Sequence, residues 1–510
     1  MPAPDLRLLP RAAHSTYDAY LAAVGASAVE KARKLAPEVI LRELRASGLR
    51  GRGGAGFPTG TKWTSVHRNP CPIRYVVVNA AEGEPGTFKD RWLLRQNPYA
   101  MLEGMLIAAH VVGARAAYIA MKRSFTRELD RVRRAVEEMT AAGIIDADTS
   151  VQLVEGPEEY LFGEEKALLN VVEGSEPLPR TPDNPPYEVG LFATPSSPNP
   201  ALVNNVETMS HVAGIVRHGA DAFRARGTAD TPGTLLVTIS GDVARPGVYE
   251  VDAGTPLDEV LETHAGGPRP GRKFVLALSG VSTAPLAAER FHVPLEFGAL
   301  QHAGAGLGSA GFVLVDDAAS IPRVAQSVAR FLYVESCNQC SACKAGLRLA
   351  SRAIDEIFDP ALATPDDPER ALFGAASAPQ GNRCYLPVQG SILIPSLLRR
   401  YAAAFSDQVA HPSRETAPWP IPKLVDYDET ARAFRYDERQ ALKQPDWTYR
   451  EPSAPAPKRE APRPRAAVAV RLAPDLAARL HEAAESSGLE LDRQVDAALR
   501  EWLAARGSKP

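Results

Sequence analysis

The sequence predicts a multidomain α/β protein, and three observations lead there. At 510 residues the chain is too long for one hydrophobic core. Its first 230 residues alternate helical and strand-like apolar patterns, as layered α/β domains do. A β-rich stretch follows, and then a helical stretch built around closely spaced cysteines. The expected division is an α/β domain over 1–230, a β-grasp domain over 231–317 and a helical-bundle domain over 318–442. A disordered linker over 443–466 and a strand–helix–helix module over 467–510 complete it.

Composition narrows the function classes. With 45% hydrophobic and 23% charged residues and a net charge of −3, no broad basic surface for nucleic acid or membrane is expected. Met1 to Pro10 is short, mixed and Pro-containing, so no secretory apolar region opens the chain. The most apolar stretch, Met101 to Met121, is broken by Glu103, His110 and Arg115 and reads as a buried helix followed by a strand. Five cysteines without an export signal suit a reducing cytoplasm, and the chain is expected to be soluble and cytoplasmic.

In the first domain, Gly48 to Trp63 places six glycines in sixteen positions. Gly51, Gly53 and Gly56 match the GxGxxG spacing, but a dinucleotide fingerprint must follow a strand and open a helix. Here a helical pattern (Val39, Ile40, Leu41, Leu44 and Leu49) comes first, and the strand Arg74 to Asn79 comes after the glycines. The segment therefore reads as a different kind of ligand loop, with Lys62 and Arg52 available for phosphate. Beyond the strand, Asn79 offers a donor and an acceptor, and Glu82 and Glu84 offer acceptors for sugar hydroxyls; a solvated acidic turn is the alternative. Tyr160 to Leu169 joins a strand end to a helix through Gly163, Glu164 and Glu165, acids that also suit a helix dipole. Asn204 and Asn205, followed by Thr208, either bind a ligand or cap the next helix.

The second domain starts with strands at Leu235 to Val243 and Arg245 to Val251, a helix over Leu257 to His264 and a strand over Lys273 to Ser279. In the third, Val324, Val328, Phe331 and Leu332 lead by helical spacing into Cys337, Cys340 and Cys343, with Cys384 following at a distance. Four thiolates are the complement of a [4Fe–4S] cluster; structural zinc also takes four, usually as two C-x₂-C pairs, and stays open here.

Taken in order, the runs GLRGRGGAGFPTGTKW, NAAEGEPGTFKDR, YLFGEEKALL, VNNVET and ESCNQCSACKAG resemble the NADH-oxidising flavoprotein subunit of respiratory complex I and its relatives in NAD-linked hydrogenases and formate dehydrogenases. The likeness extends from about residue 40 to about residue 400. It implies FMN and NAD(H) in one cavity, a [4Fe–4S] cluster nearby, and an NADH dehydrogenase that feeds a partner iron–sulfur or redox protein. The backbone of Gly51, Arg52, Gly53 and Gly54 would line flavin and phosphates, with Lys62 toward FMN and Phe57 stacked on adenine. Asn79, Gly163, Glu164, Asn204, Asn205 and Thr208 would touch FMN. Glu82, Glu84, Tyr160 and Glu165 would lie on the NADH side, and Cys337, Cys340, Cys343 and Cys384 would hold the cluster. No side chain is expected to act as acid, base or nucleophile, because hydride transfer is the cofactors' chemistry.

The sequence departs from the family pattern at several positions. Ala81 stands where an Asp is usual, Phe162 where a Cys is usual, and Ser65 near the place of a second adenine-stacking aromatic. Pro195 to Ala201 lengthens the approach to the asparagine pair, and the stretch after Cys384 is shortened. These departures leave a second function class: an iron–sulfur electron-transfer or redox-sensing protein with a degraded NADH site. Residues 467–510 resemble a ribbon-helix-helix module, with Val468, Val470 and Leu472 alternating before two short helices. Arg471 is the one basic residue on that strand, so a homodimer contact is expected there and nucleic acid is not. Association at the periphery of a membrane complex is the remaining expectation.

Overall fold

In a computed structural model, residues 6–413 and 417–450 are described. The readings for 451–466 and for the ribbon-helix-helix segment, including its dimer contact, lie outside the described residues.

The first unit begins with helices α1 (Tyr17–Val24), α2 (Ala28–Arg33), α3 (Pro37–Ser47) and α4 (Thr59–Arg68). Strand β1 (Tyr75–Ala80) comes next, then α5 (Lys89–Gln96), α6 (Pro98–Val112), β2 (Ala116–Lys122), α7 (Thr126–Ala141) and β3 (Ser150–Gly156). Helix α8 (Glu165–Val172), β4 (Ala201–Asn205), α9 (Val206–His218) and α10 (Ala220–Arg224) close the unit. Proline at its first turn starts α3, its buried stripe is Ile40, Leu41 and Leu44, and Gly48 at φ +68° ends it in the left-handed conformation. Helix α6 is buried almost all round. Its one carboxylate, Glu103, is satisfied by Tyr20 Oη (2.7 Å), Ser27 Oγ (2.9 Å), Ala28 N (2.8 Å) and Arg217. The apolar stretch around Met101 is thus a core helix followed by β2. Among the described residues no helix is long and apolar enough to cross a membrane.

The four strands form a parallel sheet in the order β3-β2-β1-β4. Val76, Val77 and Val78 at its centre are fully buried, as a strand covered on both faces requires. The chain leaves β1 toward β2 and β3, then returns to place β4 on the opposite side of β1. The topological switch therefore falls between β1 and β4.

The second unit contains β5 (Thr234–Gly241), β6 (Gly247–Asp252), α11 (Leu257–Val260), β7 (Phe274–Ser279), β8 (Leu286–Ala287), α12 (Phe297–His302) and β9 (Gly311–Asp316). Its mixed sheet runs β6-β5-β9-β7-β8. Alternation along β7 and β9 splits the apolar residues between two cores. Ala277, Phe312 and Leu314 face the unit's own helices, whereas Leu276, Leu278, Val313 and Val315 join the core of the helical unit.

That helical unit comprises α13 (Ile321–Glu335), α14 (Ser341–Glu356), α15 (Asp367–Ser377), α16 (Leu386–Arg400) and α17 (Ala402–Ala410). The remainder of the stretch expected to be helical is mostly extended, with one short helical turn at Glu438–Ala441. Residues 417–450 form a strap carrying the hairpin β10 (Leu424–Asp428) and β11 (Ala433–Tyr436). It touches all three units. Gly86 N donates to Pro422 O (2.7 Å) and Arg91 Nη1 to Leu424 O (2.9 Å) in the first. Tyr427 Oη donates to Pro246 O (3.3 Å) in the second, and Arg330 Nη1 to Gln440 O (3.0 Å) in the third. The linker expected from Lys443 does not start there: Lys443 is fully buried, with Nζ 2.7 Å from Glu335. An ion pair with a residue 108 positions away holds it.

Candidate functional site

The carboxyl ends of β1 and β4 bring the separated sequence motifs together. Asn79 is in register with Asn205, and Val78 with Asn204, at the switch point where open α/β sheets bind ligands. Asn79 Nδ2 donates to Gly163 O (2.8 Å), which draws in the segment before α8. Arg52 N donates to Thr208 Oγ1 (2.8 Å), which seats the glycine loop over the start of α9. The loop closes on itself through Gly51 N to Phe57 O (2.9 Å). A Cβ on Gly53 would stand 3.1 Å from Asn205 Cβ, and one on Gly163 would stand 3.3 Å from Ala81 O. These backbones leave no room for side chains between the loop and the strand ends, which is the form of a cradle that a ring and phosphates approach directly. Phe57, 52% exposed, presents its ring where the loop closes.

Several expected ligand contacts are committed to the protein itself. Lys62 Nζ bonds Glu165 and Val203 O (2.9 Å), so the residue assigned toward FMN and one assigned to the NADH side form a pair. Asn204 Oδ1 accepts from Trp63 Nε1 (2.8 Å). Asn205 Oδ1 caps α9 through Glu207 N (3.0 Å), and its Nδ2 binds Asp90. Glu82 caps α5 through Asp90 N (3.0 Å) and pairs with Arg91 Nε at 3.0 Å, both side chains 3% exposed. It is therefore neither a solvated turn residue nor a free acceptor for sugar. Glu84 accepts from Tyr160 Oη and from Val281 N (2.8 Å), and burial pushes its carboxyl up. The Arg52 guanidinium is buried: Nη2 donates to Pro232 O (2.7 Å), while Nε and Nη1 have no hydrogen-bond partner in the protein.

Beneath the loop lies a buried charge network that sequence reading missed. Lys89 Nζ sits 2.8 Å from Asp90 and 2.7 Å from Glu207, and all three are at most 5% exposed. Burial raises the Asp90 carboxyl to about 6 despite Lys89; Glu207 is held down to about 2, because Lys89 and His211 outweigh its burial. The second unit supplies another missed wall. Ser309 Oγ lies 2.8 Å from Thr87 Oγ1, and a Cβ on Gly54 would approach Gly308 at 3.9 Å. The glycine density of Gly304 to Gly311 was a signal for it.

The four cysteines form a second centre. Cys337, Cys340, Cys343 and Cys384 line one pocket with Leu161, Ser336, Asn338, Arg383, Leu386 and Pro387. Asn338, at φ +68°, turns the loop between the first two. Among the described residues no three His, Cys, Asp or Glu side chains close tightly enough around one point to hold a single metal ion. Four thiols around one pocket are the donor set that a [4Fe–4S] cluster takes. Burial, then the neighbouring thiols Cys340 and Cys337, push Cys343 up to about 12; burial, then Glu164, push Cys384 to about 12. Ligation must displace these protons.

One segment joins the two centres. Tyr160 meets Glu84, Leu161 lines the cysteine pocket, Gly163 holds Asn79, and Lys166 Nζ donates to Arg383 O beside Cys384. Two departures from the family pattern also meet here, since Ala81 and Phe162 are both buried in one small apolar core.

Comparison with known proteins agrees with this architecture. Residues 44–214 match the Nuo51 FMN-binding domain, 236–283 the SLBB domain, and 323–408 the NADH-ubiquinone oxidoreductase-F iron-sulfur binding region. The chain is 38% identical over 353 residues to an NADH-quinone oxidoreductase subunit of Rhizobium meliloti, covering 68% of this chain and 81% of that protein. To the corresponding NADH-quinone oxidoreductase subunit of Aquifex aeolicus it is 34% identical over 394 residues, covering 75% and 89%. An NAD+-reducing [NiFe]-hydrogenase in the H2-reduced state superposes with a TM-score of 0.67 at 31% identity, over 79% of this chain and 67% of that one. With its flavin-binding, SLBB and iron–sulfur regions in that order, the chain belongs to the NADH-quinone oxidoreductase-F family.

Proposed function

We propose that this chain is the NADH-oxidising subunit of a larger redox assembly, taking hydride from NADH and delivering single electrons to a partner iron–sulfur or redox subunit. The observation that carries the reading is the segment 160–166, which bonds Asn79 and Glu84 at the carboxyl end of β1 on one side and lines the cysteine pocket on the other. Bound FMN and a [4Fe–4S] cluster supply the conversion of a two-electron donor into single-electron steps. The protein's own contribution is placement. Gly51, Arg52, Gly53 and Gly54 present backbone to the flavin and its phosphate, with Asn79, Gly163, Glu164, Asn204, Asn205 and Thr208 around it. Phe57 offers a stacking face for adenine, and Lys62 with Glu165 bounds the cavity. Glu82 shapes the site by fixing Arg91 and α5, and Glu84 by fixing Tyr160. Cys337, Cys340, Cys343 and Cys384 hold the cluster at the edge of the helical bundle, and the SLBB unit, read as a β-grasp fold, walls the cavity through Gly308 and Ser309. The assembly is placed in the cytoplasm, peripheral to a membrane complex.

The sensing alternative requires a decayed nicotinamide site. The intact glycine loop and the exposed Phe57 ring favour oxidation instead. The test is anaerobic addition of NADH to the purified full chain. Bleaching of the flavin band within seconds is expected, and a flavin-free, iron-containing protein unmoved by NADH would overturn the proposal.

A further inference from the structure

Glu335 closes α13 two residues before Cys337, so their Cα atoms lie within about 7 Å of each other. Its side chain is fully buried. Oε2 accepts from Lys443 Nζ (2.7 Å) and from Tyr160 N (3.1 Å), and Oε1 faces Lys423 Nζ at 3.9 Å. Lys423 also pairs with Asp437 at 3.5 Å, which leaves Lys443 as the dedicated counter-charge of Glu335. Both lysines belong to the strap, which lies beyond the matched iron–sulfur region ending at residue 408.

A second tie reaches the same loop from the other side. Lys344, directly after Cys343, donates to Tyr333 O (3.1 Å), Ser336 O (2.8 Å), Ser336 Oγ (3.1 Å) and, from the strap, Pro445 O (2.6 Å). Arg330 on α13 donates to Ala441 O (2.9 Å) and Lys443 O (2.8 Å). The strap is thus fastened by the partly buried Lys344 and Arg330 and by the fully buried pair of Lys443 and Glu335. Charges in such surroundings act on one another at several times their strength in solvent. Reduction adds negative charge to an iron–sulfur cluster, and net local charge is one determinant of its potential.

We propose that the strap is a charge clamp on the cluster loop, in which Lys443, a positioning residue seated on Glu335, sets the cluster's reduction potential. The inference rests on the assignment of Cys337, Cys340, Cys343 and Cys384 as ligands. A neutralised Lys443 leaves an excess negative charge beside Cys337 and makes the cluster harder to reduce. A neutralised Glu335 leaves an excess positive charge and makes it easier.

The experiment is a redox titration of the reconstituted full chain followed by low-temperature paramagnetic resonance, with iron counted in every sample. K443M should titrate at lower potential than the parent chain, E335Q at higher potential, and K443R with the parent. The double variant E335Q/K443M should return toward the parent value. Shifts of E335Q and K443M in the same direction, or no shift in either, would overturn the proposal, because damage to packing has no reason to change sign with charge. Should K443M fail to retain iron, the comparison of E335Q with the double variant decides: a lower potential in the double supports the clamp and equal potentials refute it. Failure of the ligand assignment itself is distinct, since the parent chain would then show neither bound iron nor a signal.

Discussion

Glu164 holds a carboxyl where both its neighbours and its burial matter. Burial pushes it up to about 7, against the opposing hydrogen bond from Ala167 N (2.8 Å) and the Lys166 ammonium. Because the folded state binds this proton more tightly than the unfolded chain, its contribution is complete below about pH 4.5 and is lost as pH rises through about 7. E164Q should therefore flatten the stability profile of the cofactor-free protein across that window, where one group changes stability by at most about 1.4 kcal/mol per pH unit. Urea denaturation at several pH values checks it, and an unchanged slope would place the carboxyl elsewhere. Gly53 makes a complementary prediction. A methyl group there meets Asn205 Cβ at 3.1 Å while the fold's cores are untouched. G53A should melt like the parent chain yet retain FMN about tenfold less tightly, roughly 1.4 kcal/mol, measured by flavin release on dilution.

Among elements, the cysteine loop and α14 behave as a unit separable from the flavin cradle. C340A should lose the iron signal while NADH-to-ferricyanide turnover persists, because the loop motifs that line the cradle contain none of the four thiols. Iron analysis beside a diaphorase assay checks both halves. Elements of this kind were legible in the sequence where local pattern decides conformation. The Pro37 start, apolar stripe and Gly48 stop of α3 are local, as is the run of valines in β1. The joining of distant motifs was not readable from residue pattern, since the register of Asn79 with Asn205 depends on which strands pair. Nor was the fate of Glu82: an acidic turn looks solvated until Arg91, in the first turn of α5, folds back onto it.

For the whole molecule, the strap is the feature that local pattern hid most completely. By sequence, residues 417–442 read as part of the helical bundle and 443–450 as the start of a linker, but the strap's lysines and carbonyls are matched to partners in three other units. Arg91 is one of these joints, bonding Glu82 and Thr87 O (3.0 Å) in its own unit and Leu424 O and Val425 O (3.2 Å) in the strap. R91M leaves the Glu82 carboxylate buried without its cation and should destabilise the protein by about 3–5 kcal/mol. The double variant E82Q/R91M should recover part of that loss, which denaturant midpoints will measure.

Trp63 gives this architecture a built-in optical gauge. Its indole is fully buried, and its N–H rests on Asn204 at the very edge of the cradle. Light emitted by that ring falls where an isoalloxazine absorbs, so loading of the prosthetic group should dim the protein's ultraviolet fluorescence. Replacing Trp63 with Phe should reduce that quenching, with the remainder coming from the chain's other tryptophans, Trp92 in α5 among them.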